Sequence, residues 1–419
     1  MTKPPKSLKW IIWSLVAIFY LYEFFLRVAP SVMIPDLMKA FSVDATTVGV
    51  LSAFYFYIYA PMQLPVGMLT DRFGARKLLA IASVISGVGA LFFGLAEGFS
   101  LAALGRFFIG FGAAFGFVGL VYVATHWFSS KRRGLMIGLA NTLGMLGAIL
   151  GQGPLREAID GFGWRSVTIF LALFGIILGF LIFLIMRDDP KKAETPKPSS
   201  EERNLWKNLA IVTKNPYTWV ISVSALFFYL TTATFAGLWA IPFVHESYNI
   251  SITKAGFAVS MIFVGWAIGG PLIGVISDKL DRKKMPILVA TAIGFVLTAL
   301  AIYIKVPLSI LYILFFLIGF VSSAELLCFS YAIDINPFSA KATATAFVNF
   351  IVVIGSAVFQ PLVGYILDLN WAGQMDGAVR SYPVEAYNIA MATFPISFIL
   401  AFLLALFMIK ERRHESHGL

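Results

Sequence analysis

The chain has 419 residues, of which 59% are hydrophobic and only 13% are charged. Soluble domains carry about 25% charged residues, so this composition excludes a soluble enzyme, a nucleic-acid-binding domain and a disordered scaffold. The 40 phenylalanines and 35 glycines suit apolar helices that pack closely in lipid. The sequence therefore predicts an all-α integral membrane protein.

Apolar windows of about 20 residues, enough to cross the hydrocarbon core, occur in two sets of six. The first set covers 10–34, 47–70, 78–96, 100–125, 134–154 and 166–186. The second set covers 216–242, 254–277, 285–304, 307–332, 342–367 and 386–409. We predict two six-helix bundles, residues 1–187 and 216–419, and a cytoplasmic linker at 188–215. The linker either contains a short interfacial helix or has no fixed structure.

The distribution of basic residues predicts the orientation. With the amino terminus in the cytoplasm, 24 of the 32 Lys and Arg residues lie on the cytoplasmic side and 6 on the other. This is a strong positive-inside bias, so we expect both termini in the cytoplasm. The net charge of +10 then reflects topology rather than a nucleic-acid partner. The compact loops suit a bacterial inner membrane, and we expect a monomer in the lipid bilayer.

The two predicted bundles are related by an internal repeat. Gly49 and Gly256 are 207 residues apart, and Gln152 and Gln360 are 208 apart. Because six spans separate the copies, both halves enter the membrane in the same sense and form parallel repeats. Such a pair has a cleft between its halves that rocking can open to either side.

Four formally charged residues fall well inside the predicted spans: Glu23, Arg27, Arg106 and Glu325. Each costs about 2.5–3.5 kcal/mol at a helix centre, so such residues usually face a cavity or a partner. Glu23 and Arg27 share a helix face because they are four residues apart. They either neutralise one another or take part in substrate or proton binding.

Arg27 and Arg106 are at comparable depths, and two guanidinium groups there would suit a carboxylate or a phosphate. The alternative for Arg106 is a structural bond to neighbouring helix ends. Glu325 has no cationic residue on its own helix face, and burial disfavours its charged form. It is our first candidate for the coupling proton and Glu23 is the second. The alternative is a permanently protonated Glu325 bonded to a neighbour.

Several aromatic residues could provide an amphipathic wall for the cavity, although any one of them could also simply pack between helices. We include Tyr20, Tyr55, Tyr59, Tyr229 and Trp239 among the candidate substrate-binding residues. Four polar residues at symmetric places are predicted to bond helices together: Asn141, Asn349, Gln152 and Gln360.

The segment 67–77 resembles the signature G-x-x-x-D-[RK]-x-G-x-[RK]-[RK] of the major facilitator superfamily, and 274–284 is its copy, with Asp281 where the pattern has glycine. The resemblance implies twelve transmembrane helices in two parallel repeats, with the first and fourth spans lining the cavity. It also implies a charge latch at the cytoplasmic gate, where Gly67 and Gly274 allow close helix approach. The gating residues are Gly67, Asp71, Arg72, Gly74, Arg76, Lys77, Gly274, Asp278, Arg282 and Lys283. Within the superfamily, segments 23–33 and 55–63 resemble bacterial relatives of the lysosomal dipeptide carrier.

These features favour a secondary transporter that moves a small organic solute by proton-coupled alternating access. The arginines indicate a carboxylate-bearing solute (an amino acid, a peptide or an organic anion), and Glu325 indicates proton coupling. The alternative is a proton-driven efflux carrier for drugs or siderophores, because residues 144–154 resemble the glycine-rich fifth-span motif of antiporters.

A third interpretation, a membrane enzyme or receptor, lacks support in the sequence. It contains no G-x-x-x-x-G-K-[ST] loop, no H-E-x-x-H motif and no G-x-S-x-G elbow. Its four histidines do not form a metal constellation, and its single cysteine, Cys328, cannot form an internal disulfide. We therefore predict no enzymatic activity, cofactor, metal or nucleic-acid partner, and a small-molecule substrate with protons.

Overall fold

The computed structural model describes residues 7–63, 65–187, 205–377 and 379–407. These residues are helical apart from short turns and one hairpin, β1 (Met375–Asp376) paired antiparallel with β2 (Val379–Arg380). Most of the predicted linker, residues 188–204, lies outside the described residues, as do 1–6 and 408–419.

The helices of the first half follow the predicted spans to within a few residues. They are α1 (Leu8–Val28) with a 3₁₀ turn (Ala29–Val32), α2 (Ile34–Phe41), α3 (Ala45–Met62), α4 (Pro65–Phe73), α5 (Ala75–Leu95), α6 (Phe99–Trp127), α7 (Ser130–Leu150), α8 (Gly153–Phe162) and α9 (Trp164–Ile185).

The described residues after the gap begin with a short helix, α10 (Leu205–Lys214), in the linker region, and the second half follows it. The elements of the second half are α11 (Pro216–Leu230), a π-helical segment (Thr231–Trp239), α12 (Ala240–Tyr248), α13 (Ile252–Leu280), α14 (Lys284–Tyr303), α15 (Leu308–Ser322), α16 (Glu325–Asp334), a 3₁₀ turn (Phe338–Ala340), α17 (Lys341–Leu369), α18 (Val384–Met391) and α19 (Thr393–Phe407).

Among the described residues, eleven helices are long and apolar enough to cross a membrane. A bent pair, α2 and α3, meets at 108° and brings the number to as many as twelve. The predicted span 47–70 corresponds to α3 followed by α4. The predicted all-α architecture of about twelve membrane helices is confirmed.

The interface between the halves has the two-fold character that the repeat predicts. A methyl group on Gly49 of α3 would lie 2.6 Å from the backbone oxygen of Gln360 on α17. A methyl group on Gly256 of α13 would lie 2.9 Å from the backbone nitrogen of Gly153 on α8, next to Gln152. Both glycines are therefore needed for close helix contact, and repeat-related residues make repeat-related contacts.

The two ends of the bundle differ. We call the end that carries Arg76, Arg133 and Lys283 the basic end, and the other the opposite end. The largest cluster of buried apolar side chains spans both halves and includes the opposite-end helix α2 and the start of α3. At the basic end, a methyl group on Gly67 or Gly274 would meet no atom of the described part of the chain within 4 Å. The expected close helix approach at these two glycines is therefore absent in this conformation, which is closed at the opposite end.

Candidate functional site

Arg27 lies where the two halves meet, at the end of α1. Its Nε donates to the hydroxyl of Tyr55 on α3 at 2.9 Å, and its Nη1 donates to the hydroxyl of Tyr229 on α11 at 3.1 Å. The side chain is buried, with 9% of the residue exposed. Because α1 and α3 belong to the first half and α11 to the second, this guanidinium bridges the halves.

Aromatic rings surround the Arg27 guanidinium. Its Cζ lies 4.3 Å from the ring centroid of Phe24, 5.0 Å from Tyr59 and 5.3 Å from Tyr55. Tyr59 follows Tyr55 by four residues, so the two rings stack, with centroids 5.5 Å apart. Tyr20 lies 4.9 Å from Phe24, edge to face. The structure thus gathers four of the five predicted aromatic residues around Arg27.

Glu23 and Arg27 do not pair, although they are one helical turn apart. Glu23 Oε1 accepts a hydrogen bond from Ser86 on α5 at 2.6 Å, and its Oε2 has no partner among the described residues. No carboxylate of the described residues forms an ion pair with Arg27. A direct ion pair, the basis of one of the two alternatives for these residues, is therefore not formed, and the cation faces aromatic rings and phenol hydroxyls. The sequence analysis missed Ser86, for which the run of small residues in its span was the available signal.

Arg106 on α6 bonds to the main chain. Its Nη1 donates to the carbonyl of Leu26 at 2.8 Å, and its Nη2 lies 3.4 Å from the carbonyls of Arg27 and Ser52. Leu26 needs this donor because Pro30, four residues later, has no N–H. Arg106 therefore holds the end of α1 that carries Arg27. The Cζ of Arg106 lies 5.2 Å from the centroid of the Tyr55 ring. This geometry corresponds to the structural alternative for Arg106.

Glu325 lies at a break in the tenth predicted span. Helix α15 ends at Ser322, and α16 begins at Glu325 itself. The residue is 4% exposed, and its Oε2 has no hydrogen-bond partner among the described residues. It is an electrostatic neighbour of Tyr229, which bonds to Arg27. The carboxyl is thus buried and interacts electrostatically with one member of the Arg27 cluster.

Trp239 lies away from the Arg27 contacts just described. It ends the π-helical segment, is 1% exposed, and donates through Nε1 to the carbonyl of Gln360 at 3.0 Å. The same segment accepts bonds from two predicted helix-bonding residues: Gln152 Nε2 to Ala236 at 2.7 Å and Gln360 Nε2 to Ala233 at 2.8 Å. The apolar pattern gave no signal for π-helical geometry.

All four predicted helix-bonding residues bond to another element. Besides the two glutamines, Asn349 Nδ2 donates to Gln63 at 2.7 Å, and Tyr20 donates to Asn141 at 3.4 Å. This prediction is confirmed.

The first gating segment turns sharply between α4 and α5. Gly74 has φ of 83°, a left-handed conformation that favours glycine. Arg76 Nε donates to the carbonyl of Phe183 on α9 at 2.8 Å, within the same half. Lys77 lies on α5 beside it. Asp71 and Arg72 lie on α4, but their side chains fall outside the described part of the chain.

The second gating segment also turns through a residue with positive φ, although it lacks the glycine and its ψ differs, 36° at Asp281 against 148° at Gly74. Asp281 has φ of 49°, which aspartate tolerates better than most residues. Lys283 bonds to Ser330 at 2.7 Å and forms an ion pair with Asp334, both on α16. Asp278 lies in the last turn of α13, and Arg282 follows in the loop after it. The bonds described for Arg76 and Lys283 therefore stay within their own halves.

The sequence model of the Major Facilitator Superfamily matches residues 15–241 and 221–419. The chain belongs to this superfamily. A probable hexose phosphate transport protein of Chlamydia trachomatis serovar D is 24% identical over 384 residues, 84% of each chain. The membrane sensor protein UhpC of Escherichia coli K12 is 24% identical over 388 residues, 86% of each chain.

A solved structure shares the fold. The crystal structure of a bacterial homologue of the human lysosomal transporter Spinster, inward-facing and unoccupied, superposes with a TM-score of 0.76. The two are 17% identical, and the match covers 96% of this chain and 98% of that one. The protein is thus a multi-pass membrane transporter of the superfamily and not an enzyme. The narrower resemblance to lysosomal dipeptide carriers stays a prediction.

Proposed function

We propose that this protein is a proton-coupled carrier of a small organic carboxylate, which binds to Arg27 between the two halves. The observation that carries the proposal is a buried guanidinium with no carboxylate partner among the described residues. A charge at that depth is costly unless an anion or polar groups stabilise it. The hydroxyls of Tyr55 and Tyr229 do so here, and a substrate carboxylate would replace them with a bidentate contact.

The charge of the site favours a single carboxylate. Both guanidinium groups lie near the Tyr55 ring, but Arg106 is engaged with backbone carbonyls. The proposal therefore assigns the solute carboxylate to Arg27 alone. Tyr20 and Tyr59 would contact the apolar part of the solute. The predicted role of Trp239 in binding is left out of the proposal because its indole is buried against Gln360.

Proton coupling is assigned to Glu325, with Glu23 as the second candidate. Both carboxyls are buried, and one oxygen of each lacks a partner among the described residues. A buried carboxyl avoids the cost of an uncompensated charge when it binds a proton. Glu325 interacts electrostatically with Tyr229, so its protonation can affect the phenol that contacts Arg27.

Transport would proceed by alternating access. The protein would work as a monomer. Its two bundles, residues 1–187 and 216–419, are joined by the linker at 188–215 and would rock about the Arg27 site. Following the positive-inside rule, the proposal assigns the basic end and both termini to the cytoplasm of a bacterial inner membrane. The gating segments 67–77 and 274–284 would approach each other when the basic end closes.

A phosphate ester is the second candidate substrate. It is favoured by the hexose phosphate transport protein among the relatives. A phosphate oxyanion can also bind bidentately to arginine.

Uptake by proteoliposomes tests the proposal. Radiolabelled amino acids, dipeptides, organic acids and sugar phosphates are offered with and without an imposed pH gradient. We expect the parent protein to accumulate a carboxylate in response to the pH gradient. The Glu325→Gln variant should let the same carboxylate reach equal concentrations on both sides, without accumulation. Glu157→Gln, an exposed residue of α8, is the matched control. Accumulation by Glu325→Gln equal to the parent would overturn the coupling assignment, and preferential uptake of a sugar phosphate would select the second candidate.

A further inference from the structure

Two hydroxyl–carboxylate pairs join the halves at the opposite end. The hydroxyl of Thr46 on α3 donates to Oδ2 of Asp368 on α17. The hydroxyl of Thr253 on α13 donates to Oδ2 of Asp160 on α8 at 3.0 Å. In each pair one partner belongs to the first half and the other to the second.

The two pairs are copies related by the internal repeat. Thr46 and Thr253 are 207 residues apart, and Asp160 and Asp368 are 208 apart, the offsets that relate the two halves elsewhere. Each threonine occupies the second position of its helix, after Ala45 in α3 or after Ile252 in α13. The pairs therefore occupy equivalent places on the two sides of the pseudo-two-fold axis.

We propose that Asp160 and Asp368 form a paired latch that holds the opposite end closed. Each carboxylate lies at the amino-terminal end of a helix from the other half, where free N–H groups and the helix dipole favour a negative charge. The backbone N–H of Thr46 also donates to Asp368 at 2.8 Å. Opening this end separates α3 from α17 and α13 from α8, so both carboxylates lose these bonds. The two aspartates are positioning residues that set the balance between the two access states.

The latch is asymmetric in strength. The side chain of Asp368 is 12% exposed, and its Oδ1 also accepts bonds from Arg380 at 3.1 Å and Tyr382 at 2.5 Å. The side chain of Asp160 is 50% exposed, and its Oδ1 accepts a hydrogen bond from Arg156 Nε at 2.8 Å. Because solvent weakens exposed charged contacts, Asp368 contributes more to closure than Asp160.

Pulsed dipolar spectroscopy on spin-labelled protein tests the latch. Labels at Glu97 and Lys305, both exposed in turns at the opposite end, report the separation of the halves in a Cys328→Ala background. We expect Asp368→Asn to raise the ratio of open to closed opposite ends by about tenfold, equal to about 1.4 kcal/mol. We expect a smaller change, about threefold, for Asp160→Asn because of its exposure.

Two exposed residues serve as matched controls: Asp376→Asn on β1 and Glu157→Gln on α8 remove the same charge and should leave the distances unchanged. A second label pair, at Arg133 and Lys279, reports the basic end, where closure should accompany opening of the opposite end. Simple misfolding would not produce this reciprocal change. Unchanged distances at both ends in the Asp160→Asn, Asp368→Asn double variant would overturn the latch. The measurement needs no substrate, so its outcome is independent of the proposed function.

Discussion

Arg106 on α6 replaces the hydrogen bond that Pro30 cannot make: its Nη1 donates to the carbonyl of Leu26 at 2.8 Å. In an uninterrupted helix, the N–H four residues after Leu26 would be that donor. The end of α1 that carries Arg27 is therefore held by a side chain of another helix. This separates the two intramembrane arginines into one that supports the site and one that forms it.

The Arg106–Leu26 bond can be tested by a double-mutant cycle. Arg106→Gln should lower stability in detergent by about 1–3 kcal/mol, because a buried carbonyl loses its donor. Pro30→Ala supplies an N–H at the missing position, so in that background we expect Arg106→Gln to cost at most half as much. Thermal unfolding followed by size-exclusion chromatography measures both effects. Equal costs in the two backgrounds would contradict this role.

The interface glycines should control the same opening movement as the latch. Gly49→Ala and Gly256→Ala each place a methyl group against the backbone of the other half, at Gln360 and Gly153. We expect each variant to shift the label distances at the opposite end toward the open state. Gly161→Ala on α8 is the control, because its methyl group would meet no atom of the described residues within 4 Å. If the Gly49 and Gly256 variants kept the closed distances, the close approach would not determine closure.

The two glutamines that bond to the π-helical segment should stabilise it. Gln152→Leu and Gln360→Leu leave the carbonyls of Ala236 and Ala233 without their side-chain donors. Each should cost about 1–3 kcal/mol, the usual cost of a buried group without a partner. Hydrogen exchange followed by mass spectrometry should show faster exchange across 231–239. Unchanged exchange there in both variants would show that the segment keeps its geometry without them.

Much of the architecture could be predicted from sequence because membrane helices leave strong one-dimensional signals. Span length and the 207-residue offset correctly predicted the helices and the two-fold relation of the halves. The repeat also aligns Thr46 with Thr253 and Asp160 with Asp368, but these residues do not lie inside the predicted spans as charged groups and were not singled out. Their hydrogen bonds across the interface are visible only in the structure.

The candidate site was predicted only in part, because three-dimensional contacts decide how each charged group is used. Spacing correctly placed Glu23 and Arg27 one turn apart, yet Glu23 bonds to Ser86 and Arg27 bonds to Tyr55 and Tyr229. Depth alone could not separate the roles of the two arginines. The decisive feature for Arg106 is the carbonyl that Pro30 leaves free, and only the packing of α6 against α1 reveals it.

Substrate exchange by Arg27 variants tests the central claim most directly. In counterflow between proteoliposomes and medium, the account predicts that Arg27→Gln abolishes exchange of the identified carboxylate, while Arg27→Lys raises the KM by about 10- to 100-fold because its single ammonium cannot bind bidentately. The label distances at both ends should stay as in the parent protein, and Lys39→Gln, an exposed charge change, should exchange normally. Parental exchange by Arg27→Gln would contradict an anion site at Arg27.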